Sequence, residues 1–135
     1  MVVIEIEYRG GLRCEAVHGP SGAKLTTDAP VDNQGKGESF SPTDLMATAL
    51  GSCVMTIMGI TANKIGVILE GVKCKVQKEM IAGPRRIAKI NMVFEMPAGI
   101  SLENREIIEK AAENCPVGKS ILSEIETPVR FVYPE

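Results

Sequence analysis

Three features of the 135-residue sequence predict an α+β domain. Charged and apolar residues alternate strictly at the start and again past the middle. Between those segments Leu45 to Asn63 carries no charge at all, and after Pro97 apolar residues recur at helical spacing. Alternation builds strands with one apolar face, and an uncharged helix needs a sheet or a second helix to cover it.

The elements follow in order. Val2 to Tyr8 and Leu12 to His18 alternate with period two, and "RGG" between them supplies a hairpin turn. Leu12, Cys14 and Ala16 are expected on one face, with a third strand near Ala23 to Thr27 completing a meander. "DAPVDNQGKGESF" is a long surface loop. Ser41 and Pro42 read as cap and first residue of a helix, with Asp44 closing a shortened capping box. The helix runs to about Lys64, where "NKIG" supplies a basic last turn and a glycine stop. Two strands follow: Val72, Cys74 and Val76 form the apolar side of the first, and Ala88, Ile90, Met92, Phe94 and Met96 that of the second, joined by "AGPRR". Ile107, Ile108, Ala111 and Ala112 mark a second helix. Pro116 ends it and starts a short third one to about Glu124, and "PVRFVYP" closes the order β-β-β-α-β-β-α-α-β as one domain over 1–135.

Composition narrows the function. Hydrophobic residues make up 44% and aromatic ones 4%, so aliphatic side chains must fill the core, and a net charge of −2 offers no basic face for a nucleic acid. The first ten residues lack the charged start and apolar centre of a signal peptide, which points to the cytoplasm, where the four cysteines are expected as thiols. Leu45 to Asn63 approaches the length of a membrane span but contains Thr48, Ser52, Thr56, Thr61 and two glycines. A helix buried by protein on nearly all sides is the expectation, and with it a dimer, because one small domain can hardly cover such a helix.

No C-x-x-C pair is present, His18 is the only imidazole, and there is no phosphate-binding glycine loop, so neither metal nor cofactor is expected. Chemistry then falls to the cysteines. Cys74 and Cys14 sit on apolar strand faces and read as core fillers. Cys115 stands before Pro116 at the mouth of the short helix, where backbone amides favour a thiolate, although a small residue packed at a helix junction fits equally. Cys53 lies well inside the apolar helix. It is either a filler or a nucleophile, and as a nucleophile it needs a cation from Arg9, Arg13, Arg85, Arg86, Arg105 or Arg130.

The stretches "SPTDLMATALGSC" and "AENCPVGKSI" resemble the two cysteine motifs of the OsmC/Ohr family, the osmotically induced and organic-hydroperoxide-resistance proteins, and the likeness in element order spans nearly the whole chain. The resemblance implies a stress-response thiol peroxidase working as an intertwined homodimer around the central helix. By it, Cys53 is the peroxidatic cysteine and Cys115 the resolving one, organic hydroperoxides are the substrates, and a dithiol or protein thiol is the reductant. Family members activate the nucleophile through an arginine paired with a glutamate just after the motif proline. Here Thr43 holds that position, Asp44 is the nearest acid, and Arg13 is the arginine assigned. The alternatives are a protein of the same fold that binds a small apolar ligand or senses redox state without turnover, and a membrane-associated protein anchored by the Cys53 helix.

Overall fold

A computed structural model describes residues 1–134, arranged as two compact units, Met1–Met46 and Ala47–Glu135. The boundary between the units falls in the opening turns of the central helix.

The first unit is an antiparallel meander of β1 (Ile4–Gly10), β2 (Arg13–His18) and β3 (Lys24–Asp28), in that order across the sheet. Tyr8 lies opposite Cys14 and Cys14 opposite Thr27, while Ile6, Ala16 and Leu25 form the next row, so one face is largely apolar. All seven residues of β1 are exposed. Leu12 does not share the Cys14 face as expected. An irregularity between Tyr8 and Gly10 puts it in the turn at φ 61°, where its carbonyl accepts from Ala29 N–H at 3.0 Å. The loop after β3 folds back on itself through a 3-10 turn (Val31–Asn33), and Gly35 is obligatory there, since a Cβ would lie 1.7 Å from the Ala29 carbonyl oxygen.

The central helix α1 (Pro42–Ile65) begins as the sequence predicts. Asp44 N–H donates to Ser41 Oγ at 3.0 Å, and Ser41 N–H donates to Asp44 Oδ2 at 2.9 Å, a reciprocal capping box. It ends with Gly66 at φ 73° and Val67 N–H donating to the Ala62 carbonyl, which is a Schellman stop.

In the second unit β4 (Lys73–Ile81) and β5 (Arg86–Glu95) are antiparallel, β6 (Val129–Val132) joins β5 in parallel, and α2 (Leu102–Ala112) connects β5 to β6. Ser101 caps α2 by accepting from Asn104 N–H. The buried stripe of α2 runs through Ile108 and Ala112, with Ile107 left 40% exposed. On β5, Ala88 drops out of the apolar row. Glu79 faces Lys89 but Met80 faces Ile87, so Ala88 is the extra residue of a bulge and Ile87 takes its place in the core. Met92, Phe94, Ile90, Met58, Val54 and Leu50 form the centre of that core, and Phe94 stacks on Phe131 with centroids 5.6 Å apart.

Cover of α1 is one-sided within the chain. Ala47, Leu50, Gly51, Val54, Met58 and Ala62 are buried, whereas Thr48, Ser52, Thr56 and Ile60 are exposed. The helix is long and apolar enough to cross a bilayer, yet it serves as the core helix of this unit. Its outward hydroxyls bond their own backbone, Thr56 Oγ1 donating to the Ser52 carbonyl at 2.7 Å.

The closest approach of helix to sheet is at Gly51, where a Cβ would stand 2.9 Å from Val76 Cγ2 and 3.8 Å from Cys74 Sγ. At Gly59, in the same helix, a Cβ would meet nothing within 4 Å. In urea unfolding Gly51→Ala is expected to destabilise by about 1 kcal/mol, overpacking outweighing the helix propensity of alanine, while Gly59→Ala stabilises by up to about 1 kcal/mol.

Candidate active site

Cys53 stands on the flank of the buried stripe of α1, between Leu50 and Val54, and is partly buried. Cys115 lies just beyond the last turn of α2 and is 3% exposed. The two side chains lie close enough to influence each other's ionisation, and both residues are free thiols. Of the four cysteines these two are brought together across the second unit, α1 supplying one and the end of α2 the other. Thiols brought this near each other can close into a disulfide once one sulfur is oxidised.

The segment after Cys115 corrects two expectations. Instead of a helix to Glu124, Pro116 starts a single turn in which Lys119 N–H donates to the Cys115 carbonyl at 3.1 Å and Ser120 Oγ–H to the Pro116 carbonyl at 2.8 Å. With no helix there is no dipole to favour a thiolate. Burial, followed by the nearby Cys53 thiol, pushes the Cys115 thiol up, against a weaker pull from Gly118 N–H, which donates to Cys115 Sγ at 3.4 Å. Cys115 is therefore held protonated, a state suited to a second thiol that reacts late rather than to a first nucleophile.

Beside Cys115 lies a groove of about 990 Å³, walled by Leu50, Val54, Phe131, Arg105 and Tyr133. Arg105 donates from Nε to the Ile100 carbonyl at 2.9 Å, and its guanidinium carbon sits 4.1 Å from the centre of the Tyr133 ring. Tyr133 donates to Glu109 Oε2 at 2.8 Å. Burial, then that hydrogen bond, hold its phenol well above the ordinary range. Sequence reasoning named Arg105 only among six candidate cations for Cys53 and missed its pairing with Tyr133, because nothing local announces a tyrosine arriving from beyond β6.

Arg13 and Asp44, the other expected site residues, belong to the first unit. Asp44 is engaged in the helix cap. Arg13 forms a two-pronged ion pair with Asp28, Nε to Oδ1 at 2.6 Å and Nη2 to Oδ2 at 2.9 Å, and Nη2 also donates to Glu38 Oε1 at 3.0 Å. Asp28 is 1% exposed and accepts in addition from Glu38 N–H at 3.2 Å. The hydrogen bond from Arg13 holds the Asp28 carboxyl below its usual range despite burial, and Asp28 in turn raises the Arg13 guanidinium. The signal for this pair was present in the sequence as a cross-strand contact, since Arg13 lies directly opposite Asp28, but it needs the register to be read.

Because the folded carboxyl of Asp28 is depressed, its contribution is complete above the unfolded value of about 3.9 and is lost as pH falls through the lower folded value. The urea midpoint should fall on acidification from about pH 5 to pH 2, with Asp28→Asn lowering the neutral midpoint and flattening that dependence. Alkylation of native Cys115 by iodoacetamide, read by peptide mass spectrometry, should stay slow through the ordinary thiol range near pH 8.5 and become fast on denaturation.

Comparison with known proteins agrees with this architecture. The sequence model of the family described as OsmC-like protein matches residues 35–130. No curated protein matches. A solved structure from Psychrobacter arcticus 273-4, provisionally described as an osmotic stress induced and detoxification response protein, is 41% identical, with a TM-score of 0.94 over 98% of this chain and 96% of that one. The organic hydroperoxide resistance protein OsmC of Legionella pneumophila shares the fold at 20% identity, with a TM-score of 0.73 over 97% and 96% of the two chains. An OsmC-like protein of Mycoplasma pneumoniae shares it at 15% identity, with a TM-score of 0.82 over 100% and 98%. By sequence and by fold, the chain belongs to the OsmC-like family of the OsmC/Ohr proteins.

Proposed function

We propose that the protein is a cytoplasmic, homodimeric thiol peroxidase that reduces organic hydroperoxides. The observation that carries this reading is the proximity of the Cys53 and Cys115 thiols beside the groove wall of Leu50, Val54 and Phe131. The names of fold relatives in Legionella pneumophila and Elizabethkingia anophelis, both organic hydroperoxide resistance proteins, lend support.

On this reading the Cys53 thiolate attacks the O–O bond, leaving Cys53 as sulfenic acid and releasing an alkoxide that takes a proton from solvent. The Cys115 thiol then displaces hydroxide from the sulfenic sulfur. Water leaves, a Cys53–Cys115 disulfide forms, and a dithiol or protein thiol returns both to the reduced state. The raised pKa of Cys115 fits its place as second thiol. Leu50, Val54 and Phe131 favour alkyl or aryl hydroperoxides over H₂O₂. Arg13 is the assigned cation for Cys53, and Asp44 fixes the start of the helix that carries it.

A homodimer is proposed from uncovered apolar surface. Ile4, Ile6 and Tyr8 on β1 are 57–68% exposed and Leu25 on β3 46%, all on one face of the meander, and the outer side of α1 is also bare. The second reading, a binding or redox-sensing protein without turnover, draws on the size and apolar walls of the groove beside Cys115.

Reduced protein mixed with cumene hydroperoxide is expected to lose two thiols rapidly and yield a Cys53–Cys115 peptide in the disulfide map, with a much slower response to H₂O₂. Cys53→Ser should abolish turnover, and Cys115→Ser should leave Cys53 open to sulfinic and sulfonic acid. Turnover retained in Cys53→Ser would sink the peroxidase reading, and a co-purified apolar ligand with slow peroxide reaction would favour the alternative. Light scattering should give twice the 14.5 kDa chain mass.

A further inference from the structure

The groove beside Cys115 is lined entirely from the second unit, and its two ends differ. Cys115 stands at one. Along the α2 wall Arg105 precedes Ala112 by about two turns of helix, or ~10 Å, so Arg105 marks the other. On the opposite wall Val129, Phe131 and Tyr133 recur at alternate positions and all line the groove, Phe131 backed by Phe94. Apolar surface thus runs from a thiol to a guanidinium. That guanidinium is held from two sides. Its Nε–H donates to the carbonyl of buried Ile100, and its carbon lies 4.1 Å from the centre of the Tyr133 ring. Glu109 is one turn along α2, at the spacing where glutamate and arginine pair, yet its carboxylate accepts from the Tyr133 hydroxyl instead. The N–H groups on Nη1 and Nη2 therefore have no hydrogen-bond partner among the described residues. Glu106 and Glu113, on the same wall, are exposed, where water and salt screen them.

We infer that the groove is a binding site for an amphipathic carboxylate, its hydrocarbon lying along Leu50, Val54 and Phe131 and its acid group paired with the Nη edge of Arg105. A carboxylate fits the guanidinium fork through two parallel N–H···O bonds, and a stacked, weakly hydrated guanidinium gives up little water to form them. Tyr133 and Glu109 are positioning residues. The ring fixes the plane of the guanidinium, and the phenol occupies the acid that would otherwise pair with it. The inference deepens the proposed function and rests on it only for the occupant's fate. As a peroxidase substrate the occupant carries its peroxide toward the thiols and its acid at the far end, and under the alternative it is the resident ligand. Binding itself requires no turnover.

The test is calorimetric titration of the reduced full chain with octanoate and with octanol, which share a hydrocarbon and differ in charge. Octanoate is expected to bind about tenfold more tightly, the size of one charge-assisted pairing, and added NaCl should erode that preference. Arg105→Gln should bring the ratio of the two affinities to about one while leaving octanol within about twofold of wild type. Tyr133→Phe keeps the ring but releases Glu109 to pair with Arg105, and should lower the ratio about threefold, which loss of a wall alone would not do. Equal binding of the two ligands by the wild type overturns the inference. So does binding of neither, as when a second copy of the chain fills the groove, or a ratio unchanged in Arg105→Gln. If Arg105→Gln does not fold, Arg105→Lys carries the test, since it keeps the charge without the fork; a ratio lowered about threefold is expected and the wild-type ratio overturns. Equal binding together with a fast Cys53–Cys115 bridge under cumene hydroperoxide removes this inference and leaves the peroxidase standing. A tenfold ratio in a protein inert to that hydroperoxide keeps the site and removes the peroxidase.

Discussion

Where Gly51 lies against Val76, a helix backbone and a sheet side chain meet with no space for even a methyl group. That approach sets the depth at which α1 sits on β4, and with it the position of every side chain on the helix. Leu50 and Val54 go into the core on either side of Cys53, so the thiol cannot be fully buried or fully exposed, and its sulfur is turned toward the end of α2. A helix seated farther out would separate the two thiols without changing a single residue of either motif.

The second unit holds apolar surface and sulfur, and the first holds fixed charge. Around Cys115 burial dominates, and the raised thiol follows from desolvation more than from any one neighbour. Around Arg13 the opposite holds, since the buried carboxylate of Asp28 is kept ionised by a two-pronged partner.

Elements whose signals are local were legible in the sequence. The capping box at Ser41 and Asp44, the glycine stop after α1 and both hairpins rest on contacts within a few residues, and each is found. Losses occur where the outcome depends on distant partners. Ala88 looked like a core residue by parity, but its carbonyl accepts from Glu126 N–H while Ile90 N–H donates to the Glu126 carbonyl, and the bulge moves Ile87 inward instead. Leu12 alternated correctly yet was drawn into a turn. The helix after Pro116 failed because Gly118 and Ser120 close one turn, with little apolar surface to extend it. The pairing of Cys53 with Cys115 came from likeness to a family, and no spacing rule would have picked those two from four.

The parallel strand β6 closes one wall of the groove, through Phe131 and Tyr133, and it pairs with β5 only after the chain has passed through α2 and the Cys115 turn. Contacts so remote in sequence bear a large loop-closure entropy and form late. During folding Cys115 is thus without its wall until the final strand docks, and premature oxidation at that stage would join sulfurs before the groove beside them is complete. For a protein of this design, the reducing state of its surroundings while it folds decides whether its thiols are still free when the last strand arrives.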